Sequence, residues 1–307
     1  MPSQKPANAS SATTVTPADL CAVLQDRARA THELIAYSYS AGLGVSEETL
    51  TDINLVEIAR KLPKGHVITT KFTKHQESWV SGADWLWTIG RPGRWLSLLV
   101  QAKLARPAKP SVHGLHHGDG QQRQTLVRYA IQERLLPLYV VYSAFDGTMA
   151  LPRPSRWEPR PKWTSPCGIA RDDVKLMGCV TVRPQHVASM HRGKSPKTNA
   201  AQLLSYGHPW SCLFCCCWPS RGELADAALA GVWNLPRSRQ EDEDIRRPDP
   251  DAPDDQMADD LITGEPPALV RDLLVGREPD EVPPFSAVTV VSSEPLPPAK
   301  LRRDQRG

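Results

Sequence analysis

A nearly unbroken apolar run at residues 95–102 constrains the fold of this chain more than any other stretch. Its apolar residues fall on both alternating faces, as Leu98 and Leu99 show, which is typical of a strand buried on both sides in the middle of a sheet. Lys103 follows the run directly. An ammonium group is almost never buried without a partner, and Asp84, in the preceding apolar segment, is the obvious one. The sequence therefore predicts an acid and a lysine on two neighbouring central strands.

Hydrophobic periodicity and turn residues predict an α/β fold with the central order helix, strand, strand, strand, helix, strand. Ser46 is the expected N-cap of the first of these helices. The turn at residues 91–93 makes the second and third strands a hairpin, and the crossover helix favours a parallel last strand beside the third. The expected bounds are 46–62, 67–72, 84–89, 95–102, 121–135 and 138–142, with an amphipathic helix at about 18–35 before them and short elements at 178–182, 184–190 and 199–205 after them.

Charge is distributed unevenly along the chain. Residues 236–307 carry 10 Lys+Arg and 17 Asp+Glu, a net charge of −7, so residues 1–235 carry 27 against 17, a net charge of +10. A basic folded part suits a polyanion such as nucleic acid, and an ordinary basic soluble protein is the alternative.

Composition predicts ordered and disordered regions. Residues 241–260 hold ten acidic and two basic residues, and the chain has 29 prolines but only 4 Phe and 6 Tyr, so much of it is not expected to be packed core. The predicted organisation is a disordered N-terminus (1–17), an N-terminal helical segment (18–45), an α/β core (46–145), a basic, cysteine-containing extension (146–235) and a disordered acidic, Pro-rich tail (236–307).

The expected location is the cytoplasm, because no apolar run approaches the roughly 20 residues that span a membrane and the first 17 residues lack the apolar segment of a signal peptide. The seven cysteines are odd in number and clustered, unlike a secreted disulfide framework. Cys212 and Cys215 have the spacing of half a zinc site, but small buried apolar side chains are the favoured interpretation. A structural Zn²⁺ would need further ligands, for which the candidates are Cys167, Cys179, His186 and His208.

The element order, with Asp84 on the second strand and Gln101-Ala102-Lys103 on the third, resembles the PD-(D/E)xK, or restriction-endonuclease-like, nuclease superfamily. Gln101 stands where that motif has its second acid, as in the Gln-x-Lys variant of Mrr-type restriction enzymes. More narrowly, the segments Gly82-Ala83-Asp84-Trp85 and Val100-Gln101-Ala102-Lys103 look like those of a family of uncharacterised bacterial proteins. The superfamily resemblance implies a mixed central sheet and hydrolysis of DNA phosphodiester bonds with Mg²⁺ or Mn²⁺.

The same resemblance implies the residues of the catalytic site. Lys103 would orient the attacking water or stabilise charge on the phosphate. An amide oxygen is a weaker ligand for a hard cation than a carboxylate, so a second acid is expected beside Asp84. Glu48, near the start of the first core helix, is the first choice, with Glu57 and Glu77 as alternatives. The expected metal ligands are Asp84, the Gln101 side chain, the Ala102 carbonyl and Glu48.

Substrate contacts are expected outside this motif. His113 lies in a Gly-rich loop that would face the substrate, although a solvated loop is the simpler interpretation. Trp85 and Trp87 share one strand face, which favours core packing over base stacking. A basic run with interleaved tryptophans could follow a phosphate backbone, or be a Pro-stiffened linker; its members are Arg156, Arg160 and Lys162.

The expected function is a Mg²⁺-dependent DNA endonuclease that acts in defence against foreign DNA or in DNA processing. One alternative is a catalytically inactive nucleic-acid-binding or protein-interaction module on the same fold, in which Asp84 and Lys103 form only a structural ion pair. Another is a structural protein whose acidic tail shields its basic face. The sequence makes no prediction of oligomeric state.

Overall fold

The computed structural model describes residues 13–72, 80–107, 111–112, 114–144, 173–191, 199–215, 222–233, 235, 258–279 and 282–297. These residues form a mixed α/β fold with one eight-stranded sheet. The strands are β1 (Val67–Lys71), β2 (Trp85–Arg91), β3 (Arg94–Ala105), β4 (Leu136–Ser143), β5 (Cys179–Val182), β6 (His208–Pro209), β7 (Ile262–Thr263) and β8 (Ala287–Ser292). The helices are α1 (Pro17–Ser40), α2 (Glu47–Lys61), α3 (Gln121–Gln132), α4 (Pro184–His191), α5 (Ala200–Ser205), α6 (Cys212–Cys215), α7 (Leu224–Trp233), α8 (Ala258–Leu261) and α9 (Ala268–Leu274), with a 3₁₀ helix at Val174–Gly178.

The strand order is β1-β8-β2-β3-β4-β5-β6, and β7 pairs with β3. Strands β2 and β3 form the predicted antiparallel hairpin, which closes where Arg91 pairs with Arg94. Strand β4 lies parallel to β3, with Gln101 opposite Tyr139, as the crossover through α3 predicts. The predicted central order of elements is therefore confirmed, and the sheet is mixed.

The middle of the sheet is buried on both faces by helices. Every residue of β4 and all but the first of β3 are buried, as the apolar run predicts. Trp85 and Trp87 lie on the face covered by α1, α2 and α7, and Leu86 lies on the opposite face with α3. The Trp87 ring packs 6.4 Å from that of Trp210 and 6.2 Å from that of Phe214. Both hairpin tryptophans are thus core residues, and burial leaves no face for base stacking.

Local capping fixes where the first two helices begin. The Ser46 hydroxyl accepts a hydrogen bond from the Thr49 amide at 3.1 Å, as predicted for an N-cap. Thr16 caps α1 in the same way, since its hydroxyl accepts from the Asp19 amide and the Asp19 carboxylate accepts from the Thr16 amide. Among the described residues, no helix combines the length and apolar character that crossing a bilayer requires.

The prediction that residues 236–307 are disordered is wrong for residues 258–279 and 282–297. Strand β8 lies inside the sheet, antiparallel to β1 and parallel to β2. Its β-branched residues, such as Val288 and Val290, are fully buried. The flanking prolines belong to the connections on either side of β8. They made the segment resemble a disordered tail in composition, although its own residues form a buried apolar strand.

Disorder is also wrongly predicted at the end of the N-terminal segment. Val15 is buried, and its amide donates to the Ser293 carbonyl just after β8 at 3.1 Å. The remaining residues of the two predicted disordered segments, 1–12, 236–257, 280–281 and 298–307, lie outside the described residues.

The segment predicted as an extension continues the same sheet. Strand β5 pairs with β4, and β6 pairs with β5. Two bidentate ion pairs join the start of α7 to the β2–β3 hairpin. Arg91 pairs with Glu223, just before the helix, at 2.8 and 2.9 Å, and Arg94 pairs with Asp226 in its first turn. The described part of residues 146–235 therefore packs against the core.

Candidate functional site

The backbone of Asp84 is held by two strands. Its amide donates to the Val100 carbonyl of β3 at 2.8 Å. Its carbonyl accepts from the Ser286 amide at 2.9 Å and from the Ser286 hydroxyl at 2.8 Å, just before β8. The C-terminal strand therefore helps to position the acid that the sequence singles out.

The Asp84 carboxylate lies against the end of β3. Its Oδ2 accepts from the Ala102 amide at 2.6 Å and from Gln101 Nε2 at 2.5 Å. The same Gln101 amide nitrogen donates to the Ala102 carbonyl at 3.0 Å. Three of the four predicted metal-site residues are thus joined directly by hydrogen bonds.

Lys103 is linked to this group through a residue that the sequence analysis missed. The Lys103 side chain is buried, and its Nζ donates to Gln122 Oε1 at 3.2 Å. Gln122 Nε2 in turn donates to Gln101 Oε1 at 2.8 Å. We call the series Lys103, Gln122, Gln101 and Asp84 the amide chain. No local pattern marks Gln122, although its place in the first turn of the crossover helix puts it beside the end of β3.

A surface pocket opens beside the Asp84 end of the amide chain. Both Asp84 and Ala102 line this pocket. Glu48 was the first choice from the sequence for a second acid beside Asp84. It lies in the first turn of α2 and lines the same pocket. The full lining is Glu47, Glu48, Thr51, Asp52, Lys71, Asp84, Ala102 and Ser286.

The two alternatives to Glu48 are not placed in this pocket. Glu57 forms a two-point ion pair with Arg60 at 2.7 and 3.0 Å and lies 4.0 Å from Arg27. The hydrogen bond from Arg60 lowers the pKa of the Glu57 carboxyl. Glu77 lies outside the described residues.

The pocket is also lined by a positively charged side chain, Lys71, that the sequence analysis missed. The Lys71 ammonium, at the end of β1, contacts the Asp52 carboxylate of α2. Both side chains are about half exposed and line the opening. Lys71 therefore brings positive charge to a pocket whose other charged lining residues are all acidic.

The donor set fits a hard cation only in part. Carboxylate and carbonyl oxygens are the ligands that Mg²⁺ prefers, and Asp84, Glu48 and Ala102 supply them at one pocket. Gln101 does not fit, because it turns its NH₂ group and not its oxygen toward Asp84 and the Ala102 carbonyl. Across the described ranges, no group of three or more His, Cys, Asp or Glu side chains is arranged to hold a metal ion.

Two buried tyrosines on β4 lie beneath this region. Tyr139 is the register partner of Gln101, and burial raises the pKa of its phenol, with Asp84 adding to the effect. Burial also raises the pKa of Tyr142, whose hydroxyl lies 3.0 Å from the Thr51 hydroxyl of the pocket wall. Both phenols therefore stay neutral and protonated at physiological pH.

The predicted substrate-binding residues lie outside the described residues. This holds for His113 in the Gly-rich loop and for the basic run of Arg156, Arg160 and Lys162. Their expected contacts with phosphate stay predictions.

Cys215 is buried in the apolar core, as favoured from the sequence, but it forms a disulfide that the sequence did not predict. Cys215 is bonded to Cys21 of α1, with a Cα–Cα distance of 5.6 Å. It is therefore neither a free thiol nor available as a zinc ligand in this structure. A partner 194 residues away cannot be read from local spacing. Cys179 is a free, buried thiol, and burial raises its pKa to about 12.

Comparison with known proteins identifies a family for almost the whole chain. No curated protein and no solved structure matches it significantly. A family of unknown function, DUF6615, matches residues 20–296, which run from the first helix to just beyond β8. The match includes both strands that hold the Asp84 backbone. The chain therefore belongs to the DUF6615 family of unknown function.

Proposed function

We propose that this protein is a metal-dependent nuclease of the restriction-endonuclease-like class that hydrolyses DNA phosphodiester bonds. The observation that carries the proposal is the shared position of Asp84, Ala102 and Glu48 on one pocket. These residues come from three separate segments, α2, β3 and the residue just before β2, and the sequence predicts all three as metal ligands. Their convergence favours a functional site over an isolated ion pair.

The arrangement of elements supports the same class. Helix α2 precedes β1, the β2–β3 hairpin carries Asp84 and the Gln101–Lys103 segment, and α3 crosses over to a parallel β4. Strand β8 between β1 and β2 is an addition to the expected order. It leaves the hairpin intact and adds the Ser286 contacts to Asp84.

The residues of the site have complementary tasks in this proposal. A Mg²⁺ or Mn²⁺ ion held by the oxygens of Asp84, Glu48 and Ala102 would polarise the scissile phosphate and activate water for in-line attack. The Asp84 backbone is fixed by β3 and by Ser286, which holds the residue in place beside Ala102. Lys71 offers positive charge to a phosphate at the pocket mouth. Lys103 brings a second ammonium group to the end of β3.

Charge also favours a polyanionic substrate. Residues 1–235 carry a net charge of +10, from 27 Lys+Arg and 17 Asp+Glu, and these residues include the whole candidate site except Ser286. Positive charge of this kind increases association with nucleic acid in a salt-dependent way.

One observation favours a second candidate function, a nucleic-acid-binding module without catalysis. The Gln101 NH₂ group donates to both Asp84 and the Ala102 carbonyl, which are two of the oxygens that a metal ion would need. Because these oxygens already accept hydrogen bonds from Gln101, the site is stable without a metal ion and without a catalytic role.

A cleavage assay separates the two functions. Supercoiled plasmid and single-stranded DNA are incubated with purified protein in Mg²⁺, Mn²⁺ or EDTA. The nuclease proposal expects metal-dependent cutting that Asp84→Ala and Lys103→Ala each reduce at least about a hundredfold, the scale of lost electrostatic stabilisation in active sites.

The matched controls are Glu33→Ala and Lys175→Ala, which remove an exposed acid and lysine that pair with each other at 2.7 Å on α1 and the 3₁₀ helix. They should cut like the wild type. Cutting that survives in the two site variants would indicate a contaminant and reject the proposal. DNA binding without cutting on any substrate would establish the binding module instead.

A further inference from the structure

The direction of every hydrogen bond in the amide chain is fixed by its two ends. A lysine ammonium can only donate, and an ionised carboxylate can only accept. Gln122 must therefore turn its oxygen to Lys103, which leaves its NH₂ group for Gln101. Gln101 then has its oxygen toward Gln122 and its NH₂ toward Asp84. Each amide orientation follows from the one before it.

We infer that Gln122 is a positioning residue, which sets the direction of the Gln101 amide and so decides whether Gln101 can serve as a cation ligand. This inference rests on the proposed function, because it concerns the same metal site. It assigns a role to a residue on α3 that belongs to neither the acid nor the lysine motif.

Burial makes this control strict. Gln101 is 1 % exposed and Lys103 is 4 % exposed, so bulk solvent does not reach either side chain and a misdirected partner is costly. If Gln101 turned its oxygen toward Asp84 and the Ala102 carbonyl, its NH₂ group would face the NH₂ group of Gln122 at the present distance of 2.8 Å. Two facing donors repel, so Gln122 must turn as well. Lys103 is then either released or must share the Gln122 oxygen with Gln101.

Coordination of a cation by the Gln101 oxygen and the hydrogen bond from Lys103 to Gln122 therefore depend on each other. As long as Gln122 accepts from Lys103 and donates to Gln101, the Gln101 NH₂ group points to Asp84 and the Ala102 carbonyl, both of which belong to residues that line the pocket. Changing the hydrogen-bonding character of residue 122 alone should change the affinity for a divalent cation, although that side chain does not line the pocket.

The test uses Mn²⁺ alone as the probe, with free Mn²⁺ measured by electron paramagnetic resonance in titrations of the full-length protein. Gln122→Glu replaces the amide with a group that can only accept, so it can hold Lys103 and also accept from the Gln101 NH₂ group. The Gln101 oxygen is then turned toward Asp84 and the Ala102 carbonyl. A carboxylate in the first turn of a helix is favourable, so the variant should fold. We expect Mn²⁺ affinity to rise about fivefold or more, within the range of measured couplings between contacting residues.

The added negative charge would by itself attract a cation, and a double-mutant cycle removes that effect. Gln101→Met and the double variant Gln101→Met/Gln122→Glu are titrated alongside. If Gln122 acts through Gln101, the gain from Gln122→Glu disappears in the Gln101→Met background. An equal gain in both backgrounds would mean charge alone and would overturn the inference, as would no gain in either.

A neutral variant, Gln122→Met, covers the case in which Gln122→Glu does not fold. It releases the Gln101 amide without adding charge and should also raise Mn²⁺ affinity, so an unchanged or lower affinity counts against the inference. Failure of the nuclease proposal is distinguishable, since DNA cutting would be absent while the Mn²⁺ cycle held. Absence of Mn²⁺ binding in all variants and the wild type would reject the inference itself.

Discussion

The backbone of Gly82 lies so close to helix α3 that a β-carbon at this position would be 2.4 Å from the carbonyl oxygen of Gln122. It would also lie 2.9 Å from the amide of Leu126, and Gly82 has a φ of +67°, where side chains are disfavoured. Glycine therefore allows the start of α3 to rest directly beside Asp84. This contact places Gln122 within reach of Gln101 and Lys103.

Gly82→Ala should therefore destabilise the protein and displace α3. The expected loss in the free energy of unfolding is about 3 kcal/mol, from overpacking and positive-φ strain together. Urea unfolding measures it. Gly93→Ala is the matched control, because Gly93 also has a positive φ, +84°, but a β-carbon there would meet nothing within 4 Å. It should lose only about 1–2 kcal/mol, and equal losses in both variants would contradict the close packing of α3.

A charge placed on β8 should prevent folding. Val290 is fully buried, and Val290→Asp would bury an unpaired carboxylate in the middle of the sheet, at an expected loss of about 4 kcal/mol or more. Circular dichroism and soluble yield measure the effect. Val275→Asp, at a position that is 58 % exposed, should change stability by less than about 0.5 kcal/mol. A folded Val290→Asp protein would show that β8 is dispensable.

The position of β8 also changes how an acidic shielding tail can be tested. Deleting residues 239–307 would remove a strand that pairs with both β1 and β2. Loss of DNA affinity in that deletion would then report unfolding. Charge-neutralising substitutions within residues 241–257, with β8 retained, provide the cleaner comparison of DNA affinity.

The disulfide between Cys21 and Cys215 should stabilise the protein under oxidising conditions. It joins α1 to α6 across 194 residues, and removing a native disulfide typically costs about 2–5 kcal/mol. Cys21→Ala should lower the melting temperature, and a reductant should lower that of the wild type but not that of the variant. Cys212→Ala removes a half-buried cysteine outside the bond and should leave the response to reductant unchanged. An identical melting temperature with and without reductant would show that the bond does not form.

Alkaline pH should destabilise the fold through Cys179. Burial raises the pKa of this thiol from 9.0 to about 12, so between these values the unfolded chain loses the proton while the folded chain keeps it. Unfolding then releases a proton, and stability falls as pH rises, by up to about 1.4 kcal/mol per pH unit. Cys179→Ala should flatten the slope of stability against pH from about 9 to 12. A slope that is the same in both proteins would show that the thiol does not titrate in this way.

Local pattern was sufficient to predict the central elements. The apolar run before Lys103, the turn at residues 91–93 and the Ser46 cap each act over a few residues, and each has the predicted structure. Glu48 lies in the first turn of α2, as the local pattern predicts, and it lines the pocket, while its role as a metal ligand stays a prediction.

Contacts between distant segments explain what the sequence did not reveal. Gln122 matters through hydrogen bonds to side chains about 20 positions earlier, and nothing in its neighbours marks it. Cys21 and Cys215 pair across most of the chain. Strand β8 has the composition of a buried strand, but its proline-rich surroundings and the acidic block before it dominated the disorder prediction.

The place of β8 has a consequence for synthesis on the ribosome. Val67 of β1 pairs with Val291, so β1 cannot join the sheet until β8 has emerged. Such long-range pairing makes folding slow, and segments synthesised early stay unpaired until their partner strands have emerged. A nascent chain that already contains Asp84, Gln101 and Lys103 still lacks Ser286, which holds the Asp84 carbonyl. The pocket is therefore completed only after Ser286 has been synthesised, and chains that terminate before this residue lack part of its lining.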